Sequence, residues 1–128
     1  VHMNNIESSI ILCGPVTGSA FLNNIKNSKI IISCHQLRIH ETYQTEFYIN
    51  VASRAIIENS SQVHFAPYAW SYPDLDKHVQ MSSISFDYIN WTSIDDFNWL
   101  NKTQSPNWNF LDESKRNKWI TDESGNFI

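Results

Sequence analysis

Short apolar segments recur along the first half of the chain at a nearly constant interval. "AFLNN" (20–24), "RIHET" (38–42) and "IIENS" (56–60) repeat every 18 residues, which aligns Leu22 with His40 and Glu58. A second set, "KIIIS" (29–33), "EFYIN" (46–50) and "QVHFA" (62–66), sets Ile32, Ile49 and Phe65 at intervals of 17 and 16. "SIILC" (9–13) belongs to the turn of the repeat before these. Runs this short, β-branched and alternating in polarity are strands, not helices. Two strands per period of about 16–20 residues are what a parallel β-helix needs, because each coil buries its inward side chains only by stacking on the next. An ordinary antiparallel sandwich gives no reason for a constant interval, and the sequence contains no Asn-Gly hairpin signal.

Composition supplies the corners. Sixteen Ser and fourteen Asn stand against three Gly, a usage that favours turns and polar ladders over long helices. All five Trp lie from Trp70 onward, so the pattern changes near Ala66-Pro67. The chain is expected to be all-β and a single domain over 1–128, with β-helix coils over 9–66 and a covering tail over 67–128. "VHM" at the start reads as a cloning remnant outside the fold. Within the aromatic-rich tail, "APYAWSYPDLD" reads as irregular. "SIDDFNWL" (93–100), with Ser93 as N-cap, and "LDESKRNKWI" (111–120) are candidates for one or two short helices. Trp91, Trp99, Trp108 and Trp119 are expected to cover a sheet face.

A chain of 128 residues is long enough to bury a core of its own. A formal charge of −4 and a pI near 5.6 argue against a nucleic-acid partner, which calls for a basic face. No apolar run approaches the roughly 18–20 residues of a membrane span. Cys13 and Cys34 sit in apolar strands and match no metal spacing, so free thiols in a reducing compartment are expected.

Chemistry concentrates in "SCHQLRIH" (33–40). Alternation turns Leu37 and Ile39 inward and sends Gln36, Arg38 and His40 outward as one row. With an 18-residue period, Phe21, Ile39 and Ile57 form an inward column. Ala20 then lies under Arg38 and Ile56 over it, with Glu58 as a diagonal carboxylate partner. A guanidinium so placed can reach a partner's phosphate. A surface ion pair of small worth is the plainer reading.

"CHQLRIH", "SRAIIENSS", "HFAPYAWSYPDLD", "SIDDFNWL" and "SPNWNFL", in this order, closely resemble the C-terminal domain of the tubulin-binding cofactor C family. The related X-linked retinitis pigmentosa protein shares the pattern more loosely. The resemblance runs from about Cys13 to Leu111 and implies a right-handed parallel β-helix. It also implies a GTPase-activating role. With cofactors D and E, such a domain stimulates GTP hydrolysis by tubulin and releases assembled heterodimer, a cytoplasmic and cytoskeletal task. The relative does the same for an Arf-like small GTPase, which is the alternative partner.

Carried over by position, Arg38 becomes an arginine finger. The family pattern is Gln-Gln-(Leu or Phe)-Arg, so Gln36 matches the second glutamine and His35 replaces the first, where an imidazole still offers a donor. Glu58 matches an acidic position and Phe97 an aromatic that meets the GTPase in the relative; each also has a structural reading, Glu58 as a charge in a ladder and Phe97 as a core residue. With His40, they form the expected partner-binding set. No cofactor of its own is implied, since GTP and magnesium come with the partner and no GxxxxGK[ST] sequence is present. Two other classes compete. A polysaccharide-cleaving β-helix would use carboxylates such as Glu41, Glu46 and Glu58, with sequons at Asn59, Asn90 and Asn101. A binding module without catalysis would need only the surface. A metal held by His35 and His40 is disfavoured, because five positions apart on a strand they face opposite sides.

Overall fold

The computed structural model of the chain describes residues 1–86 and 90–128. Its body is two stacks of parallel strands wound as successive coils. One stack contains β1 (His2–Glu7), β3 (Ala20–Lys26), β5 (Leu37–His40) and β7 (Ala55–Glu58). The other contains β2 (Ile10–Pro15), β4 (Lys29–Cys34), β6 (Tyr43–Val51) and β8 (Ser61–Pro67). This is the parallel β-helix that the repeat demands. The space between the stacks is filled by one apolar core, including Leu22, Ile30, Ile39, Phe47, Ile57 and Phe65. Burying one such side chain is worth roughly 1.5–3 kcal/mol, and no coil could do it alone.

The register differs from a uniform 18. Successive coils are offset by 19, 17 and 18 residues, so Phe21 lies beneath Arg38 and Arg38 beneath Ile56. The inward column is therefore Leu22, Ile39 and Ile57. Phe21 faces outward and is 37% exposed, while Ala20 is wholly buried. In the second stack Phe65 lies over Phe47, and Ile49 lies over Ile32. The cause is local: the corner between β4 and β5 is one residue shorter than the corner stacked on it between β6 and β7, and period-two alternation turns a one-residue slip into a change of face.

The corners explain the asparagines. Asn5, Asn24, Glu41 and Asn59 form one vertical line of residues with positive φ, and Ser8, Asn27, Gln44 and Gln62 form another. Asn tolerates this conformation better than most residues, and its amide can also bond up the stack. Asn24 donates to Asn5 Oδ1 at 2.8 Å. Beside these lines the hydroxyls of Ser9, Ser28, Thr42 and Ser60 each bond the backbone carbonyl two residues back.

The first strand begins at His2 and pairs with β3 from His2 to Glu7, with Met3 and Ile6 packed on the core. His2 and Met3 therefore belong to the sheet. Beyond β8 the chain forms β9 (Trp70–Ser71) inside the stretch expected to be irregular, and a helix, α1 (Leu75–Ser82), begins at the end of that stretch. The expected helix over 93–100 is instead β10 (Ile94–Asp96), paired with Ala55, Ile56 and Ile57. The open backbone edge of β7 decides this, since Ala55 N donates to Ser93 O and Phe97 N to Ile57 O. β11 (Trp108–Phe110) closes the second stack over β8 in the same way, and β12 (Trp119–Ile120) pairs with β9. Within 111–120, Glu113–Lys115 form one 3-10 turn, capped by the Asp112 carboxylate accepting from Ser114 N at 3.0 Å.

The tail does cover a sheet face, but its tryptophans divide the work. Trp70 and Trp119 lie over the outer side of the second stack, with Trp119 edge-on to Tyr48 at 4.9 Å. Trp91 and Trp108 pack against the inner core. Trp99 stays in the turn beyond β10, its indole donating to Thr103 O.

Candidate functional site

The outer side of the first stack presents two vertical lines of side chains. One runs Phe21, Arg38, Ile56, Asp95, and the other Asn23, His40, Glu58, with Phe97 continuing above. Arg38, His40, Glu58 and Phe97 thus share one face, as the sequence leads one to expect. β5 has the required form, with Leu37 and Ile39 buried and Arg38 exposed between them.

Arg38 has neighbours other than those expected. A phenyl ring, not a methyl group, lies below it, and the buried Ile56 lies above. Glu58 does not pair with it. The Glu58 carboxylate stands 3.8 Å from His40 Nε2 in the same line. Among the described residues, no hydrogen bond or ion pair holds the Arg38 guanidinium. Arg54, one coil above, is engaged: Nε reaches Asp95 Oδ2 at 2.5 Å and Nη2 reaches Oδ1 at 2.8 Å. That two-bonded geometry is the strong form of an arginine–carboxylate pair.

His40 is held on both sides. Its Nδ1 is 3.0 Å from Asn23 Oδ1, and its Nε2 is 3.4 Å from Asn59 Nδ2. These contacts match a ring whose Nδ1–H donates to Asn23 Oδ1 and whose Nε2 accepts from Asn59 Nδ2, a tautomer assigned from the amide orientations.

His35 and Gln36 form the corner between β4 and β5. His35 N donates to Gly18 O at 3.0 Å and its carbonyl accepts from Ser53 N at 2.9 Å, so the corner is pinned to the coils below and above. The Gln36 carbonyl accepts from Ala20 N and from the Cys34 thiol. Both side chains are half-buried at the edge of the Arg38 face.

Phe97 is 50% exposed and faces outward, which removes it from the core. Its turn is tightly built. Asp96 Oδ1 accepts from Asn98 N at 2.9 Å, while Oδ2 accepts from Ser105 Oγ at 2.6 Å and Asn107 Nδ2 at 2.8 Å. Asn98 exchanges two bonds with Asn59, one coil below. The Arg54–Asp95 pair and this Asn59–Asn98 clamp are parts of the face that sequence reading missed. Their partners are 41 and 39 residues apart, beyond any local pattern. Phe21, expected in the inward column, faces outward between buried Ala20 and Leu22.

Elsewhere, burial pushes the Cys34 thiol up to about 12 and raises that of Cys13, and both are free. Among the described residues, no group of three His, Cys, Asp or Glu side chains could hold a metal, and no helix is long and apolar enough to cross a membrane. The face offers a cation flanked by donors and an apolar residue, a surface suited to meeting an anionic group on another macromolecule.

Fold and face together define a parallel β-helix that displays an unengaged arginine. Residues 1–97 match the family described as tubulin binding cofactor C, and the chain belongs to that family. Tubulin-specific chaperone C of Homo sapiens is 43% identical over 98 residues, covering 77% of this chain and 28% of that protein. Tubulin-folding cofactor C of Arabidopsis thaliana is 35% identical over 97 residues, 76% of this chain and again 28% of that one. The chain therefore spans little more than a quarter of these relatives' length. A solved structure, tubulin binding cofactor C from Leishmania major, superposes with a TM-score of 0.80 at 29% identity, over 90% of this chain and 80% of that chain.

Proposed function

We propose that this chain is a tubulin-folding cofactor C domain that stimulates GTP hydrolysis by tubulin, with Arg38 as the finger supplied in trans. Support comes from the family, from relatives named as tubulin chaperones and cofactors, and above all from one contrast on the outer face. Two arginines stand on adjacent coils. Arg54 is bound by Asp95, and Arg38 is exposed with no partner among the described residues.

The chemistry asks for such a group. Water attacks the γ-phosphorus, the bond to the β–γ bridging oxygen breaks, and GDP, phosphate and a proton leave. Negative charge grows on the leaving and equatorial oxygens, where a guanidinium brought from outside neutralises it, an effect worth on the order of 10³–10⁵ in rate. Arg38 reaches outward from a rigid strand, so its approach costs no folding energy. Gln36 and His35, on the adjoining corner, steady the partner or its water. His40, Glu58 and Phe97 form the contact surface around it. Nucleotide and magnesium belong to the GTPase, and cofactors D and E complete the assembly.

The test is GTP turnover by tubulin in the presence of cofactors D and E, with parent chain and Arg38→Ala compared and Arf-like GTPases run alongside. Loss of at least about 10³ of the stimulation in Arg38→Ala supports the reading. Full stimulation by that variant overturns it, and stimulation confined to an Arf-like GTPase moves the partner.

A further inference from the structure

A cavity of about 650 Å³ lies on the second stack, away from the Arg38 face, lined by Tyr48 of β6 and by the tail segments that carry β9 and β12. That volume falls within the roughly 300–1,000 Å³ of small-ligand sites. Tyr48, Trp70, Leu75 and Trp119 make the lining largely apolar. Trp119 stands edge-on to Tyr48 at 4.9 Å, and Trp70 Nε1 donates to Thr121 Oγ1 at 3.0 Å. The Tyr48 hydroxyl donates to Glu46 Oε1 at 3.0 Å and accepts from Asn117 N at 3.2 Å. Tyr48 and Trp70 are therefore held in place with their polar atoms already used, and what they have left to offer is ring surface. Two cations share the cavity with them. Lys118 makes no hydrogen bond or ion pair among the described residues. Arg116 is anchored through Nε, which donates to Leu111 O at 3.0 Å, and its guanidinium lies 5.3 Å from the centre of the Trp91 ring. Its two terminal nitrogens have no partner among the described residues. Glu113 also lines the cavity and pairs with neither cation. In a chain with 13 acidic and 9 basic residues, composition alone does not put two unneutralised cations beside an apolar cavity.

We infer that this cavity is a second binding site, for a carboxylate that carries a flat apolar body. The body lies against the rings of Tyr48, Trp70 and Trp119, where aromatic surfaces favour offset or edge-on contact. The carboxylate takes charge-assisted hydrogen bonds from Lys118 and Arg116. Charge decides the class of anion. Two cations less the Glu113 carboxylate leave one positive charge to balance, which suits a single carboxylate and not a phosphate or a polyanion. The same chemistry comes from a free aromatic acid or from an aromatic residue beside an acidic one in a peptide. The site lies on the other stack from Arg38 and does not rest on its reading as a finger.

Calorimetric titration of the chain with naphthylacetate, and with the uncharged naphthylacetamide, tests it. The acid is expected to bind saturably and the amide about tenfold more weakly, since the amide keeps the body and loses the charge. Lys118 is exposed, so Lys118→Glu should hold the parent's melting temperature. It should cost the acid about tenfold and turn the preference toward naphthylmethylamine, a cation of the same shape. Leu75→Glu sets a carboxylate in the wall and should also weaken the acid, while Arg38→Ala should leave its binding unchanged. A short peptide with naphthylalanine beside aspartate separates the two sources. Tighter binding of the peptide assigns the site to a protein segment, tighter binding of the free acid assigns it to a small molecule, and either supports the site. Absence of saturable binding by both acid and peptide overturns the site. Equal affinity for acid and amide, or an unchanged affinity in Lys118→Glu, overturns the anion.

Discussion

Arg54 and Asp95, 41 residues apart in sequence, close a two-bonded ion pair across the top of the Arg38 face. The pair passes over Ile56 and leaves Arg38 as the arginine of that face with its donors free. Both arginines are exposed, so burial cannot distinguish them, but occupation does. Arg54→Ala should lower stability by no more than about 1 kcal/mol, as solvent-facing pairs do. It should leave most of the stimulated hydrolysis intact. Arg38→Lys should behave like Arg38→Ala, because an ammonium cannot present two parallel N–H donors to phosphate oxygens. Turnover assays on Arg54→Ala, Arg38→Ala and Arg38→Lys check this. A crippled Arg54→Ala beside an active Arg38→Ala would reverse the roles.

The register makes a sharp claim about two adjacent residues. Leu22 is wholly buried in the column under Ile39, and Phe21 faces solvent under Arg38. Leu22→Ala should cost roughly 2–5 kcal/mol. Phe21→Ser should stay within about 1 kcal/mol of the parent. Ile39→Asp buries an unpaired carboxylate and should not fold. Urea denaturation measures all three. A severe Phe21→Ser with a mild Leu22→Ala would restore the uniform 18-residue spacing.

What was legible in the sequence follows the physics of stacking. Coils must be nearly equal in length to bury one another's Ile, Leu and Phe, so the repeat shows once successive stretches are laid over one another. A one-residue difference between corners does not show, because it depends on which backbone carbonyl of the next coil each amide finds. The strand at Ile94–Asp96 was hidden for a related reason: its three residues look like a helix start until the edge of Ala55–Glu58 is there to be paired. Outward Arg38 was readable from Leu37 and Ile39 on either side. That Glu58 stacks over His40 followed from the 18-residue interval; that its carboxylate turns to His40 and not to Arg38 did not, because the choice between two neighbours is made by side-chain packing.

Corner conformation gives a stabilising substitution. Gln44 is exposed and sits at φ 53° in the line Ser8, Asn27, Gln44, Gln62. Left-handed backbone costs an L-residue roughly 1–2 kcal/mol. Glycine avoids that and loses roughly 0.5–1 kcal/mol through its freer unfolded chain. Gln44→Gly should therefore raise stability by a few tenths of a kcal/mol up to about 1. Gln44→Val, stiff at Cβ, should lower it by more than the glycine gains. Melting temperatures of the two variants should move in opposite directions. A shared direction would mean that the corner is not strained.

Exposed partner contacts should separate from the core in the same way. Phe97, half out of the molecule on the face above Glu58, should lose binding when truncated to alanine while the melting temperature barely moves. Parallel binding and thermal-shift measurements decide it. A large fall in melting temperature would return Phe97 to a structural role.

Alkaline pH should find the core through Cys34. In an unfolded chain the thiol loses its proton around its ordinary value of 9.0, whereas burial holds it in the folded chain up to about 12. Between these values the unfolded state binds fewer protons than the native one, so stability must fall as pH rises. Below pH 9 the contribution of this group is complete. Tyr48, lifted by burial from 10.0 to about 12, steepens the upper part of the same window. Melting temperature should thus decline from about pH 9 upward, and Cys34→Ala should flatten that decline most clearly at its start, near pH 9, where Tyr48 is still mostly protonated in both states. The variant will start from a lower melting temperature because it leaves a cavity, so the slope carries the answer, not the height. A thiol reagent gives a second reading at pH 8: half-buried Cys13 should react before Cys34, which waits for the coils to open. Equal slopes in parent and Cys34→Ala, or Cys34 reacting first, would show that its thiol is not buried between the two stacks.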